Sequence, residues 1–147
     1  TMNVWVKIDS GTSGTSILWY DNVGLSARAF KLMPYQTSSV VCAISYWGGI
    51  SSSNLYATSS RDTNRHNYCL VWTWSSYSLY YDGSWAEQAI TNYAINDISE
   101  LQLWWWWAWW STNSADGYIK DYIVETIART ADEIVSYYNK TKSNYGY

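Results

Sequence analysis

Apolar residues recur at every second position from the start of the chain: Met2, Val4, Val6 and Ile8 are separated by Asn3, Trp5 and Lys7. A period of two belongs to a strand, whose successive side chains point to opposite faces, and it predicts one buried face here. Gly11 to Ser16 is a Gly/Ser/Thr turn, after which Ile17 to Tyr20 resumes an apolar strand. Leu25 to Met33 reads as another strand, closed by Pro34. Ser38 to Trp47 carries Val40, Val41, Cys42 and Ile44 and breaks at Gly48-Gly49. Asn54 to Thr58 is a short strand before a polar loop, Ser59 to Asn67. Tyr68 to Trp74 and Tyr77 to Tyr81 read as a hairpin about Ser75-Ser76. Many short strands with regular turn signals predict a sandwich or barrel.

One helix is signed near the end. Thr130-Ala131-Asp132-Glu133 is a capping box, with Thr130 at the cap and Glu133 three residues on. Ile134, Tyr137 and Tyr138 then share one helical face. Acids in the first turn and Lys140 and Lys142 in the last suit the helix dipole.

Composition narrows the function. The 147 residues fit one domain, 1-147, and 48% of them are apolar, which argues against disorder. A net charge of -3 and a pI near 4.9 argue against nucleic acid, whose phosphates demand a basic face. The longest apolar run, Leu103 to Trp110, falls short of the roughly 20 residues of a spanning helix, so no membrane insertion is expected. Thr1 opens the chain without a basic-then-apolar leader, which predicts a processed or excised piece. Twelve Trp and fifteen Tyr against one Phe are unusual; these amphipathic rings concentrate at binding surfaces, so a sticky exterior is one reading. Cys42 and Cys69 each lie in an apolar run, where a buried free thiol is favoured over a bridge between them.

Three stretches carry a family resemblance. His66-Asn67-Tyr68-Cys69-Leu70-Val71-Trp72-Thr73-Trp74, followed by Leu79-Tyr80-Tyr81-Asp82-Gly83, resembles the hairpin of laminin-G-like and pentraxin-like domains. Asp116-Gly117-Tyr118-Ile119-Lys120-Asp121, with Thr130-Ala131-Asp132-Glu133-Ile134 and Tyr137-Tyr138-Asn139 behind it, is similar to the closing strand and helix of that family. Trp5-Val6-Lys7 resembles an early strand, and the ending through Gly146 is similar to such domains in bacteriophage structural proteins. The resemblance implies an all-β, antiparallel two-sheet jelly-roll sandwich of the concanavalin A-like kind with a short C-terminal helix. It also implies that an opening strand is missing or replaced by a partner, leaving a sheet edge open near Met2 to Asp9. Lys120 stands where the family usually has an acid.

The chemistry points to binding. A glycoside hydrolase on this fold needs two carboxylates across a sugar bond, and Glu87, Asp97 and Glu100 are not spaced for that on one strand face. Asp121 and Glu125 share strand parity, but Asp121 reads as a solvated or turn-bracing acid. The single histidine, His66, cannot build a histidine metal cluster and reads as a strand start. Asp21, Asn22, Asp62 and Asn64 offer oxygens for Ca²⁺ without a spaced ligand run, so no cofactor is expected. Asn139-Lys140-Thr141 is a formal glycosylation sequon, without meaning for a viral protein made in a bacterium. Sugar rings stack on flat aromatics, and Tyr46, Trp47, Trp74 and Trp85 lie near turns, each with a core or subunit-contact role as the plainer alternative. Asp82, Gly83, Asp116 and Gly117 are expected in turns. The expected role is a non-enzymatic decoration domain on a virion surface or outside the cell. Its partners would be other virion proteins, copies of itself and cell-surface glycans. The alternative is a carbohydrate-binding module of a secreted or cell-surface protein.

Overall fold

The computed structural model describes residues 1–10, 16–21, 28–33, 41–47, 50–57, 64–73, 76–90, 100–105 and 116–146. The protein is mostly antiparallel β-sheet with a short C-terminal helix. The strands are β1 Met2–Ser10, β2 Ser16–Asp21, β3 Arg28–Met33, β4 Val41–Trp47, β5 Ile50–Ala57, β6 Arg65–Trp72, β7 Ser76–Tyr81, β8 Ser84–Ile90, β9 Glu100–Trp105 and β10 Asp116–Val124. Helix α1, Ala131–Thr141, runs into a 3-10 turn, Lys142–Tyr145. Strands pair in two sets of five, in the orders β10-β1-β6-β7-β8 and β5-β4-β3-β2-β9.

Strand β1 departs from expectation twice. It lies between β10 and β6, so Met2 to Lys7 is paired on both sides and is no open edge. Among the described residues the edge beyond β1 is β10, contributed by a segment more than 100 residues further along the chain. Both faces of β1 are also buried: Met2, Val4 and Val6 on one, Asn3 and Trp5 on the other. Alternation reports only which residues share a face; here α1 and the 3-10 turn cover the second face as well. Strand β8 was not foreseen, because Ser84-Trp85-Ala86-Glu87-Gln88-Ala89-Ile90 has no strict alternation; its pairing with β7 makes it a strand.

Residues directly opposite in an antiparallel pair share a face. Val4 opposes Tyr68, Met2 opposes Leu70, and Leu70 opposes Leu79, so these residues form an apolar face with Val6 and Tyr77. Asn3 opposes Cys69, which opposes Tyr80, and these lie on the helix-covered face, where Cys69, Val71 and Tyr80 meet Ile134 of α1.

Candidate functional site

The helix-covered face centres on Trp5. Its ring stacks on Tyr138 at 5.6 Å and on Tyr145 at 4.5 Å, and its Nε1–H donates to Thr141 Oγ1 at 3.2 Å. The Tyr145 hydroxyl donates to the Asp121 carboxylate. Asp121 has φ +48, at the irregularity where β10 slips against β1 between Asn3 and Trp5. This bulge re-aims one side chain and so explains an acid that sequence spacing could only call solvated or turn-bracing. Burial and the Asp121 bond together push the Tyr145 phenol upward, so it remains a donor. Lys142 Nζ lies 5.5 Å from the Tyr138 ring and the Arg65 guanidinium 6.0 Å from the Tyr145 ring.

Beneath this stack the polar groups of the sheet are matched from distant strands. Asn67 Nδ2–H donates to Asn3 Oδ1 at 2.8 Å. Burial pushes the Cys69 thiol up to about 12, against the opposing effect of a hydrogen bond with Asn3. Cys69 is a free thiol, not half of a bridge. Buried and protonated, it is a poor nucleophile.

Asp82 and Gly83 form a tight turn between β7 and β8, with φ of +49 and +75 at the two central positions, the signature of a type I′ turn. Asp82 does more than turn the chain. Its carboxylate accepts the Asn67 N–H at 2.8 Å and contacts His66 Nδ1 at 2.7 Å, while its own N–H donates to Asn67 O at 2.9 Å. His66 stacks on Tyr81 at 4.9 Å. The turn tip and the start of β6 are therefore clasped by one acid, a role the Asp-Gly pair alone did not reveal.

The capping box is present: Glu133 N–H donates to Thr130 Oγ1 at 3.3 Å, and Thr130 N–H donates to Glu133 Oε2 at 2.8 Å. These bonds hold the Glu133 carboxyl below its ordinary range. Arg129 grips Glu125 with Nε and Nη2, and this lowers the Glu125 carboxyl. Thr1 ties the same junction, its Oγ1 donating to Ile127 O at 2.7 Å and accepting from Arg129 N–H at 2.8 Å.

Of the aromatic candidates, Trp85 is 60% exposed on β8, two residues past the turn. Tyr46 and Trp47 pair with Ala29 and Arg28 on β4, their side chains lying outside the described residues; Trp74 lies wholly outside them. Gly117 has φ +157, close to extended, and it and Asp116 belong to β10, opposite Ile8 and Ser10. Tyr118, 61% exposed on β10, was not foreseen as a surface aromatic because its alternation resembles that of a core strand. Among the described residues no group of three His, Cys, Asp or Glu side chains is placed to hold a metal. Asn64 is exposed, whereas Asn22, Asp62 and the Asp21 side chain lie outside the described residues. No helix among the described residues is long and apolar enough to cross a membrane.

No family model matches the chain, and no curated protein matches it.

Proposed function

We propose that this chain is a non-enzymatic surface domain of a virus particle, folded as a concanavalin A-like two-sheet jelly roll and serving assembly and adhesion. Its partners are other virion proteins or further copies of itself. The observation that carries this reading is the meeting of the resembling stretches. Trp5-Val6-Lys7 on β1 lies between His66-Asn67 on β6 and Ile119-Lys120 on β10, with the capped helix on β1 and β6 and its 3-10 turn reaching β10. Segments far apart in sequence thus meet in one sheet. The second set of five strands supports the sandwich, since β5 lies beside β7 and β8 and the apolar face of the first sheet is buried within the chain.

A second reading, a carbohydrate-binding module of a secreted or cell-surface protein, is favoured by Trp85, whose flat ring stands exposed beside a rigid turn. A shallow stacking site supplies about 4–6 kcal/mol, which corresponds to high micromolar to millimolar dissociation constants. Particle-docking assays set against a panel of neutral glycans test the two readings. Docking that survives Trp85→Ala with no glycan bound supports assembly; glycan binding lost in Trp85→Ala, without docking, overturns it in favour of the module.

A further inference from the structure

Across β10, β1 and β6 the register sets Tyr118, Lys7 and Arg65 side by side. Direct cross-strand neighbours share a face, with Cβ atoms about 5 Å apart. Lys120 is two residues from Tyr118 on β10, so it lies on that face too. Like charges directly opposite one another are unfavourable, yet Lys7 and Arg65 stand in that relation in a chain whose net charge is -3. Among the described residues no carboxylate pairs with Arg65 or Lys120. Tyr118 is 61% exposed, and Lys7 Nζ lies 6.0 Å from its ring centre. The Arg65 guanidinium lies 6.0 Å from the centre of the Tyr145 ring.

Cations gathered against the sign of the whole chain, beside a flat exposed ring, suit an anion that also has an apolar face. A sugar carrying a carboxylate has both. Its ring stacks on a phenol, and its carboxylate takes the planar fork of a guanidinium. The row spans about 10 Å across three strands, enough for more than one sugar unit. An acidic peptide adding as a strand fits less well. Asp121 at φ +48, together with register slips at both ends of the β1–β10 pairing, leaves only a short regular stretch of β10 edge.

We infer that Tyr118, Lys7, Arg65 and Lys120 form a binding surface for a carboxylate-bearing polysaccharide. The inference rests on the adhesive role proposed above and gives it a substrate class. It lies on β10, β1 and β6, whereas Trp85 lies on β8 at the other edge of the sheet.

Titration of the full chain with polygalacturonate, neutral dextran and polyglutamate tests it. Polygalacturonate is expected to bind, with affinity falling about fivefold or more between 50 and 300 mM salt as the charges are screened. Lys120→Glu should weaken binding about tenfold and Tyr118→Ala about fivefold, with thermal unfolding unchanged because both side chains are exposed. Absence of polygalacturonate binding overturns the inference. So does equal binding by Lys120→Glu, or equally tight binding of polyglutamate, which would show a surface that reads charge alone. Binding of dextran that is lost in Trp85→Ala and kept in Lys120→Glu would leave adhesion standing and remove this surface from it.

Discussion

On one face of the sheet Val4, Val6, Leu70 and Leu79 are buried as plain hydrocarbon, while on the other Trp5, Asn67, Cys69 and Tyr145 are buried with polar atoms attached. Those four aliphatic side chains need only shape and area. The helix-covered face needs partners: Thr141 for the Trp5 indole, Asp121 for Tyr145, Asn3 for Asn67. One atom there, Asn67 Oδ1, is buried without a partner, at a cost of about 1–3 kcal/mol. A face assembled from matched partners loses more than one interaction when one is removed, and a short helix with Ile134 as its one fully buried residue has little else to hold it. The helix should therefore leave its face before the sheet comes apart.

The largest effects test that order directly. Leu79→Ala and Trp5→Ala should each cost about 3–4 kcal/mol, the usual range for truncating a buried large side chain. They should differ in what opens. Trp5→Ala removes the rings' common partner and frees α1 with the 3-10 turn, so the Cys69 peptide should alkylate before the amides of β6 and β7 exchange. In Leu79→Ala alkylation and exchange should rise together. Alkylation that tracks strand exchange in both variants would mean that the two faces open as one unit.

Gly83 joins the turn to the helix face, and its replacement comes next in size. A Cβ built there would sit 2.9 Å from Tyr138, and the position has φ +75. Gly83→Val meets both obstacles and should cost about 2–3 kcal/mol by denaturant unfolding. Gly83→Asn separates them, because Asn tolerates the left-handed region but still carries the Cβ. If Asn restores full stability, the backbone conformation is the whole requirement and the Tyr138 contact is incidental.

The turn and the cap show what local sequence can reveal. Asp82-Gly83 and Thr130-Glu133 are readable because the residues that satisfy each backbone group lie within a few positions of it. Trp5 is the opposite case. Its strand alternates, yet its burial depends on Tyr138 and Tyr145, more than 130 residues away. The open edge was misplaced on β1 for the same reason: nothing near Met2 announces that Val124 and Leu70 will flank it. Asp121 was legible as an acid but not as the acceptor for Tyr145, since the bulge that aims it is set by strand register. Lys7 and Arg65 likewise become neighbours only through pairing.

A smaller effect belongs to the start of the helix. Thr130→Ala removes an acceptor from the otherwise orphaned Glu133 N–H and should cost about 1 kcal/mol. Because the cap is exposed, the loss should be confined to α1. Thr130→Ser keeps the oxygen and should be close to neutral. A Ser variant as unstable as Ala would show that the Thr methyl, rather than the hydrogen bond, is what the site needs.

The smallest effect is that of acid on the same helix. The Glu133 carboxyl is lowered by bonds from Thr130, and the Glu125 carboxyl by its bond from Arg129. A carboxyl lowered in the folded state contributes stability that is fully present above its unfolded value, here 4.5, and is lost as pH falls through the folded value. Helix docking should therefore be constant from pH 7 to about 5 and weaken below about 4.5. Both groups are exposed enough for solvent to screen much of the gain, so the change should be slight. Glu133→Gln retains an acceptor for Thr130 N–H but carries no charge, so it should hold the helix with a flatter acid profile. Amide exchange across Tyr137 to Thr141, followed from pH 6 to pH 3 in both proteins, reads the difference. Superimposable profiles would show that the Glu133 charge contributes nothing and that the cap works through hydrogen-bond geometry alone.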